Sequence, residues 1–318
     1  MLTKLDNVRK LIGNTPLFQI EKNDINLFVK MEMLNFTGSI KIRPAYHILY
    51  NAIHDGYIDE NTKVIESTSG NFGVALANLC KFLGIRFIPV IDPNINTFYE
   101  KQLNITAHKV IKVSKRDETG GYLKTRLERV KQLLKETENI FWTNQYANKD
   151  NYHAHYRTLG REIIKDFESL DYAFIGVSSC GTITGLSQKL KENFPNIKII
   201  AVDSEGSVIF GEQPKKRYIS GIGSSIVPSI INKAQIDEIV MVPEIKAISG
   251  CHSLLSTHGI FAGGSSGAVY YAIKQYFKNK KLESPPNVLS IFVDSGSAYM
   301  DTVFNQSWVD EIWGQELI

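Results

Sequence analysis

Residues Lys63–Ile91 read KVIESTSGNFGVALANLCKFLGIRFIPVI. Lys63–Glu66 and Arg86–Ile91 are short, apolar, β-branched runs suited to buried strands. Between them a cluster of Ser, Thr and Gly leads into Phe72–Leu83, a longer amphipathic stretch that reads as a helix. The same alternation extends in both directions. Strands are predicted at Asn26–Met31, His108–Val113, Tyr172–Val177, Lys198–Val202 and Val288–Val293. Helices are predicted at Pro44–Asp55, Tyr122–Glu136, Tyr156–Phe167 and Thr182–Asn193. Strand-then-helix order implies an α/β fold with doubly wound, mostly parallel sheet, in which ligands sit beyond the carboxyl ends of the strands.

The bulk properties narrow the function. The chain has 318 residues, 43% hydrophobic and 22% charged, enough for two domains sharing a cleft. A net charge of +3, with both signs interspersed, gives no nucleic-acid surface. No apolar run is long enough for a membrane span, and the polar start Met1–Asn7 does not read as a signal peptide. Cys80, Cys180 and Cys251 are odd in number and widely spaced, which argues against a disulfide framework and against a zinc site. The expectation is a soluble cytoplasmic protein with no metal.

Five glycine- and hydroxyl-rich loops fall at predicted element ends. In Thr37–Pro44, TGSIKIRP, a turn delivers Lys41 to a helix start, where the dipole favours a neutral amine fit for Schiff-base chemistry. Taken alone such a lysine is usually a solvated surface charge. Glu66–Gly73, ESTSGNFG, offers free N–H groups for a carboxylate, with the Asn71 amide in reach of a cofactor hydroxyl; a well-capped helix is the plainer alternative. Ser178, Ser179, Cys180, Gly181 and Thr182 form a cradle for a phosphate without the lysine and spacing of a nucleotide P-loop. Gly221–Ser225 and Gly259–Gly267 allow close backbone approach to a flat ring. No G-x-G-x-x-G follows the first strand, so a dinucleotide enzyme fits poorly.

Together TGSIK, ESTSGNFG, NQYAN, SSCGT, SGIGSS and GIFAGGSSG resemble the cysteine synthase and cystathionine β-synthase family, the fold-type II pyridoxal-phosphate enzymes, from about Ile12 to Gly296. The resemblance implies two such sheets, a larger cofactor domain of residues 1–39 and 146–318, a smaller mobile domain of residues 40–145, and a homodimer. It makes Lys41 the catalytic lysine that binds pyridoxal 5′-phosphate. Asn71 faces the 3′-oxygen, Ser178 to Thr182 hold the phosphate, and Ser265 faces the pyridine nitrogen. Thr68, Ser69, Asn71 and Gln145 take the substrate α-carboxylate. A hydroxyl at Ser265 makes the ring a weaker electron sink than a carboxylate would. Removal of the α-proton is then coupled to early loss of the β-substituent, giving an aminoacrylate and ping-pong kinetics.

Within the family, Gly120–Leu123, Asn144–Asn148, Gly206–Gly211 and Gly259–Gly264 resemble a narrower branch, the N-(2-amino-2-carboxyethyl)-L-glutamate synthases of siderophore and diaminopropionate biosynthesis. That branch couples O-phospho-L-serine with L-glutamate. Tyr146 and Ser178 stand where cysteine synthases usually carry Phe and Gly. Arg217, in the run Lys215–Arg217, is the candidate contact for a phosphate leaving group, with a solvated basic face as the alternative. Ile42 replaces the family's usual Asp after the lysine. Two other readings stay open: a cysteine synthase that uses sulfide, and an inactive scaffold that keeps the cofactor fold. His153 and His155, two apart, would point away from each other on a helix.

Overall fold

The computed structural model describes residues 1–20 and 24–314. Ten strands are present among them: β1 Leu17–Ile20, β2 Asn26–Met31, β3 Lys63–Ser67, β4 Arg86–Ile91, β5 Ile111–Lys112, β6 Ile140–Trp142, β7 Tyr172–Gly176, β8 Lys198–Ser204, β9 Glu238–Val242 and β10 Asn287–Phe292. The helices are α1 Leu2–Arg9, α2 Ile42–His54, α3 Asn71–Leu83, α4 Thr97–Thr106, α5 Leu123–Glu136, α6 Lys149–Arg157, α7 Leu159–Asp166, α8 Gly181–Asn193, α9 Glu244–His258, α10 Gly264–Phe277 and α11 Gln306–Trp313.

The strands form two sheets. One has six strands in the order β1-β2-β10-β7-β8-β9, and the other has four in the order β5-β4-β3-β6. Every pairing is parallel except β1 with β2. The expected α/β architecture is therefore present, with one antiparallel edge.

Side-chain alternation shows why the central strands read as continuous apolar runs. Phe174, Ile200, Val202, Val288 and Phe292 point to one face of the large sheet and pack with residues of α9 and α10. Their neighbours Ala173, Ile175, Ile199, Ala201, Leu289 and Ile291 point to the other face, against residues of α7 and α8. Both faces are covered, so neither needs polar residues. In the small sheet Ile65 and Val90 meet Val130 and Leu133 of α5, while Val64 and Phe87 face the core that includes α2 and α3.

Several expectations needed adjustment. The helix expected over Tyr156–Phe167 is two helices, α6 and α7, which meet at Thr158. The Thr158 hydroxyl donates to Ala154 O at 2.7 Å, satisfying a carbonyl at the break. The strand expected at His108–Val113 shrinks to Ile111–Lys112 at a sheet edge. Strands β1, β6 and β9 carry too short or too mixed a pattern to stand out; β9 has an exposed Ile239.

Candidate active site

Lys41 is the N-cap of α2. The turn before it puts Thr37 at φ 70 and Gly38 at φ 74, a left-handed pair at which only the glycine is unstrained. Ser39 then bridges to Asp294, and Ile40 N–H donates to Val293 O at 2.9 Å, which fastens the lysine loop to the end of β10. Behind it Arg43 forks onto Glu32, with Nε to Oε2 at 2.7 Å and Nη2 to Oε1 at 2.8 Å, and reaches Glu162 at 2.7 and 2.9 Å. Ile42, where the resemblance expects Asp, is fully buried in the apolar core. Packing and the Arg43 network hold the start of α2 in place of a polar cap.

The Lys41 amine lies 3.3 Å from Ser179 Oγ. Burial lowers its pKa, against the opposing influence of Cys180 and Asp294. A neutral amine is the nucleophilic form. Desolvation, rather than the helix dipole invoked from sequence, is the leading cause.

Ser178–Thr182 lie between β7 and α8. Cys180 takes a left-handed conformation at φ 65 and caps α8, and this turns the chain so that the helix start faces the lysine. The side chains brace the loop. Ser178 Oγ donates to Gly223 O at 3.0 Å, Ser179 Oγ accepts from Asn151 Nδ2 at 3.4 Å, and Thr182 Oγ1 lies 3.4 Å from His155 Nε2. The backbone N–H groups of Ser179, Cys180, Gly181 and Thr182 find no acceptor among the described residues. A helix start with several free donors is suited to an anion. His155 is buried, and burial together with Lys41, Arg43 and His47 holds it well below its ordinary pKa, so it presents a neutral ring.

Ser265, second residue of α10, is buried, and its hydroxyl has no partner among the described residues. It lines one narrow chamber with Lys41, Ser179, Cys180, Thr182 and Gly221. An orphaned hydroxyl, a neutral amine and a donor-lined helix start thus converge on one space. A flat, phosphorylated aldehyde with a ring nitrogen answers all three.

The chain matches the model of the pyridoxal-phosphate dependent enzyme family over residues 8–294. It belongs to that family. It is 39% identical over 313 residues to the N-(2-amino-2-carboxyethyl)-L-glutamate synthase of Cupriavidus metallidurans, covering 96% of this chain and 92% of the relative. It superposes at a TM-score of 0.85 and 28% identity on an O-acetylserine dependent cystathionine beta-synthase from Helicobacter pylori, over 93% of this chain and 97% of that one. A hydrogen sulfide-producing enzyme from Fusobacterium nucleatum superposes equally well, at 0.85 and 30% identity, over 92% of this chain and 98% of that one. The protein is a pyridoxal-phosphate β-replacement enzyme of the cysteine synthase type.

In this pyridoxal-phosphate enzyme the loop before α3 carries Thr68 and Ser69, and Asn71 opens the helix. Thr68 is buried, and its hydroxyl accepts from Gly73 N–H at 2.9 Å and Gly70 N–H at 3.3 Å, so that side chain caps the helix. Gln145 Nε2 donates to Ser67 O at 3.1 Å. Asn71 Nδ2 donates to Asp294 Oδ2 at 2.7 Å. Beneath the loop, buried Glu66 accepts from Thr143 Oγ1 at 2.5 Å, Ser67 N–H at 2.8 Å and Gln145 N–H at 3.1 Å. Burial outweighs these donors and pushes its pKa up to about 7.

A larger cavity, about 440 Å³, adjoins the chamber and shares Ser178 and Gly221 with it. Ser69, Arg126, Tyr146, Arg217 and Tyr299 are among its walls. Arg126 is 5% exposed, and its Nε lies 2.9 Å from Asp92 Oδ2 without being aimed along that line. Its Nε and Nη1 have no hydrogen-bond acceptor among the described residues. Burial pushes the Tyr146 phenol up to about 12, against the lowering effect of Arg126 and Arg217, so it stays protonated. Arg217 is tied to Gly206 O at 2.9 Å, Ser224 O at 3.0 Å and Ser225 Oγ at 3.2 Å. It reaches the cavity, but chiefly as the clamp of its own loop.

The structure thus gathers Lys41, Ser178, Ser179, Cys180, Thr182 and Ser265 at one chamber, and Ser69, Tyr146 and Arg217 at the adjoining cavity, whereas Thr68, Asn71 and Gln145 line neither. His153 and His155 part as their spacing requires: His155 is buried, whereas His153 sits 3.8 Å from Asp150. Sequence reasoning missed Arg126, Glu66, Asn151 and Asp294. Arg126 looks like any charged residue of an amphipathic helix, and Asp294 had as its only signal the Asp-Ser-Gly at a strand end.

Proposed function

We propose that this enzyme joins O-phospho-L-serine to L-glutamate, giving N-(2-amino-2-carboxyethyl)-L-glutamate and phosphate. One observation carries the reading: Arg126, a buried arginine paired with Asp92 at 2.9 Å, lies in the wall of the substrate cavity with Nη1 lacking a hydrogen-bond acceptor among the described residues. A guanidinium with a donor left over can take a second anion beside Asp92, and its planar fork suits phosphate. An acetyl leaving group would leave that donor unanswered. The resemblance over nearly the full length of the Cupriavidus metallidurans enzyme supports the same choice.

The residues take the following parts. Lys41 Nζ would hold the cofactor through its aldehyde, and as the neutral amine that burial favours it is suited to take the substrate α-proton. The N–H groups of Ser179 to Thr182, with Ser178 behind them, hold the cofactor phosphate. The Ser265 hydroxyl meets the ring nitrogen, and the Asn71 amide meets the 3′-oxygen. Ser69 and the α3 amino terminus, shaped by Thr68 and Gln145, receive the α-carboxylate. Arg126 and the Tyr146 hydroxyl receive the phosphate of the substrate, and Arg217 fixes the opposite wall. When bound, the cofactor draws electrons from the α-carbon and so eases departure of the β-phosphate. The Cβ–O bond breaks and phosphate leaves, the glutamate amine forms the new Cβ–N bond and gives a proton to the released phosphate, and Lys41 returns a proton to the α-carbon. Residues 40–145, which carry the four-stranded sheet, form the smaller body that closes over the cavity against residues 1–39 and 146–318.

The test is product analysis. With phosphoserine and glutamate the holoenzyme is expected to release phosphate and form a product of the mass of the coupled triacid. Turnover with sulfide alone, giving cysteine, would replace this reading by the cysteine synthase one.

A further inference from the structure

Asp294 is the residue at which three separate parts of the site meet. Its backbone bridges to Ser39, two positions before Lys41. Its carbonyl accepts from Gly263 N–H at 3.0 Å, two positions before Ser265. Its carboxylate, 2% exposed, receives Asn71 Nδ2 at 2.7 Å, Tyr299 OH at 2.7 Å and Tyr99 OH at 3.4 Å, all on Oδ2. Oδ1 has no partner among the described residues.

This arrangement constrains the Asn71 amide. An amide NH2 has two hydrogens and its oxygen has none. Left to itself, the group turns over with little cost. A buried carboxylate at 2.7 Å accepts only from the nitrogen side, so it selects one of the two orientations and claims one hydrogen. The other N–H is then left to point away from Asp294, at a fixed angle in the amide plane. Tyr299 and Tyr99 donate to the same oxygen, Oδ2, and so fix it against rotation away from Asn71. A charge-assisted bond of this kind is short and directional.

We propose that Asp294 is a positioning residue: it locks the Asn71 amide with its second N–H presented to the 3′-oxygen of the cofactor. The inference rests on the reading of Asn71 as the residue that faces that oxygen. Donation to the 3′-oxygen favours its ionised form, which sets the visible absorbance of the bound cofactor. Asp294 therefore acts on the cofactor through Asn71, without touching it.

The experiment compares Asp294→Leu, Asp294→Asn, Asn71→Ala and the Asp294→Leu/Asn71→Ala pair. The readouts are cofactor affinity of the apo-protein and the visible spectrum of the resting holoenzyme. Leu keeps the branched shape and removes the acceptor. Asn restores an acceptor at the Oδ2 position, with its NH2 on the unpartnered side. Asp294→Leu is expected to weaken cofactor binding about tenfold and shift intensity from the visible to the near-ultraviolet band. Asp294→Asn is expected to restore both, and Asp294→Leu should add less than about twofold on top of Asn71→Ala. Should Asp294→Leu fail to fold by circular dichroism, Asp294→Ser, whose hydroxyl is too short to reach the amide, is read by the same criteria. An unchanged spectrum and affinity in the acceptor-less variant, or additive effects in the pair, would overturn the proposal. If Asn71→Ala itself leaves the spectrum unchanged, the Asn71 assignment fails instead.

Discussion

The amine of Lys41 rests 3.3 Å from the hydroxyl of Ser179, one residue before the N-cap of α8. Nucleophile and anion cradle are therefore in contact across a separation of 138 residues in sequence. The neutral amine is the reactive form, and burial depresses the Lys41 pKa from its ordinary 10.5. The rate at which apo-protein captures pyridoxal phosphate should rise with pH and level off below 10.5. Stopped-flow absorbance at a series of pH values checks this. A rate still climbing at that value would place the amine in water.

Arg43 and Glu32 are fully buried and joined by two charge-assisted hydrogen bonds, with Glu162 on the far side. Removing one partner strands the other's charge. Arg43→Met should lower unfolding free energy by about 3–5 kcal/mol. Urea titration of the holoenzyme measures it. The lysine loop should loosen as well, so cofactor affinity falls with stability.

Glu66 contributes to stability with a sign opposite to a surface carboxylate. Its folded pKa, about 7, lies above the ordinary 4.5, so the folded protein holds a proton that the unfolded chain gives up first. The contribution is complete below about 4.5 and is lost as pH rises through about 7. Glu66→Gln should flatten that part of the stability-against-pH curve. Chemical denaturation at intervals between those pH values reads the slope. Parallel curves for the two proteins would assign the decline to other groups.

Gly181 opens α8, and a methyl group there would stand 2.0 Å from Asn151 Oδ1. Asn151 also donates to Gln145 O at 2.6 Å, so it is not free to retreat. Gly181→Ala should push the cradle out of shape and weaken cofactor binding by about tenfold or more, an effect of the size of one lost charge-assisted hydrogen bond. Fluorescence titration of the apo-protein with pyridoxal phosphate measures the change.

Arg126→Ala separates leaving groups. It should raise KM for O-phospho-L-serine by about tenfold or more, the value of a charged hydrogen bond, while changing KM for O-acetyl-L-serine little. Steady-state phosphate and acetate release give the two values. Equal losses for both substrates would make Arg126 a structural residue.

Much of the fold was legible because its buried strands are β-branched runs: β2 and β4 were bounded to the residue, and β3, β7, β8 and β10 to within two. The loops of the site were legible because they need Gly, Ser and Thr at element starts. What escaped depends on the third dimension. Arg126 and Asp294 are ordinary in sequence, and only folding brings one to the cavity wall and the other beneath Asn71. Thr68 shows the converse. Its residue type suits a ligand contact, but its hydroxyl lies under Gly73 and holds the helix. The basic run Lys215–Arg217 also divided on folding. Lys215 and Lys216 are exposed, whereas Arg217 turns inward to its own loop.

Borohydride reduction of the resting holoenzyme, followed by proteolysis and mass spectrometry, addresses the centre of the account most directly. The cofactor mass should be found on the single peptide that contains Lys41, and Lys41→Ala protein treated alike should carry none. Label recovered on another lysine, or an unlabelled Lys41 peptide from fully loaded protein, would contradict it.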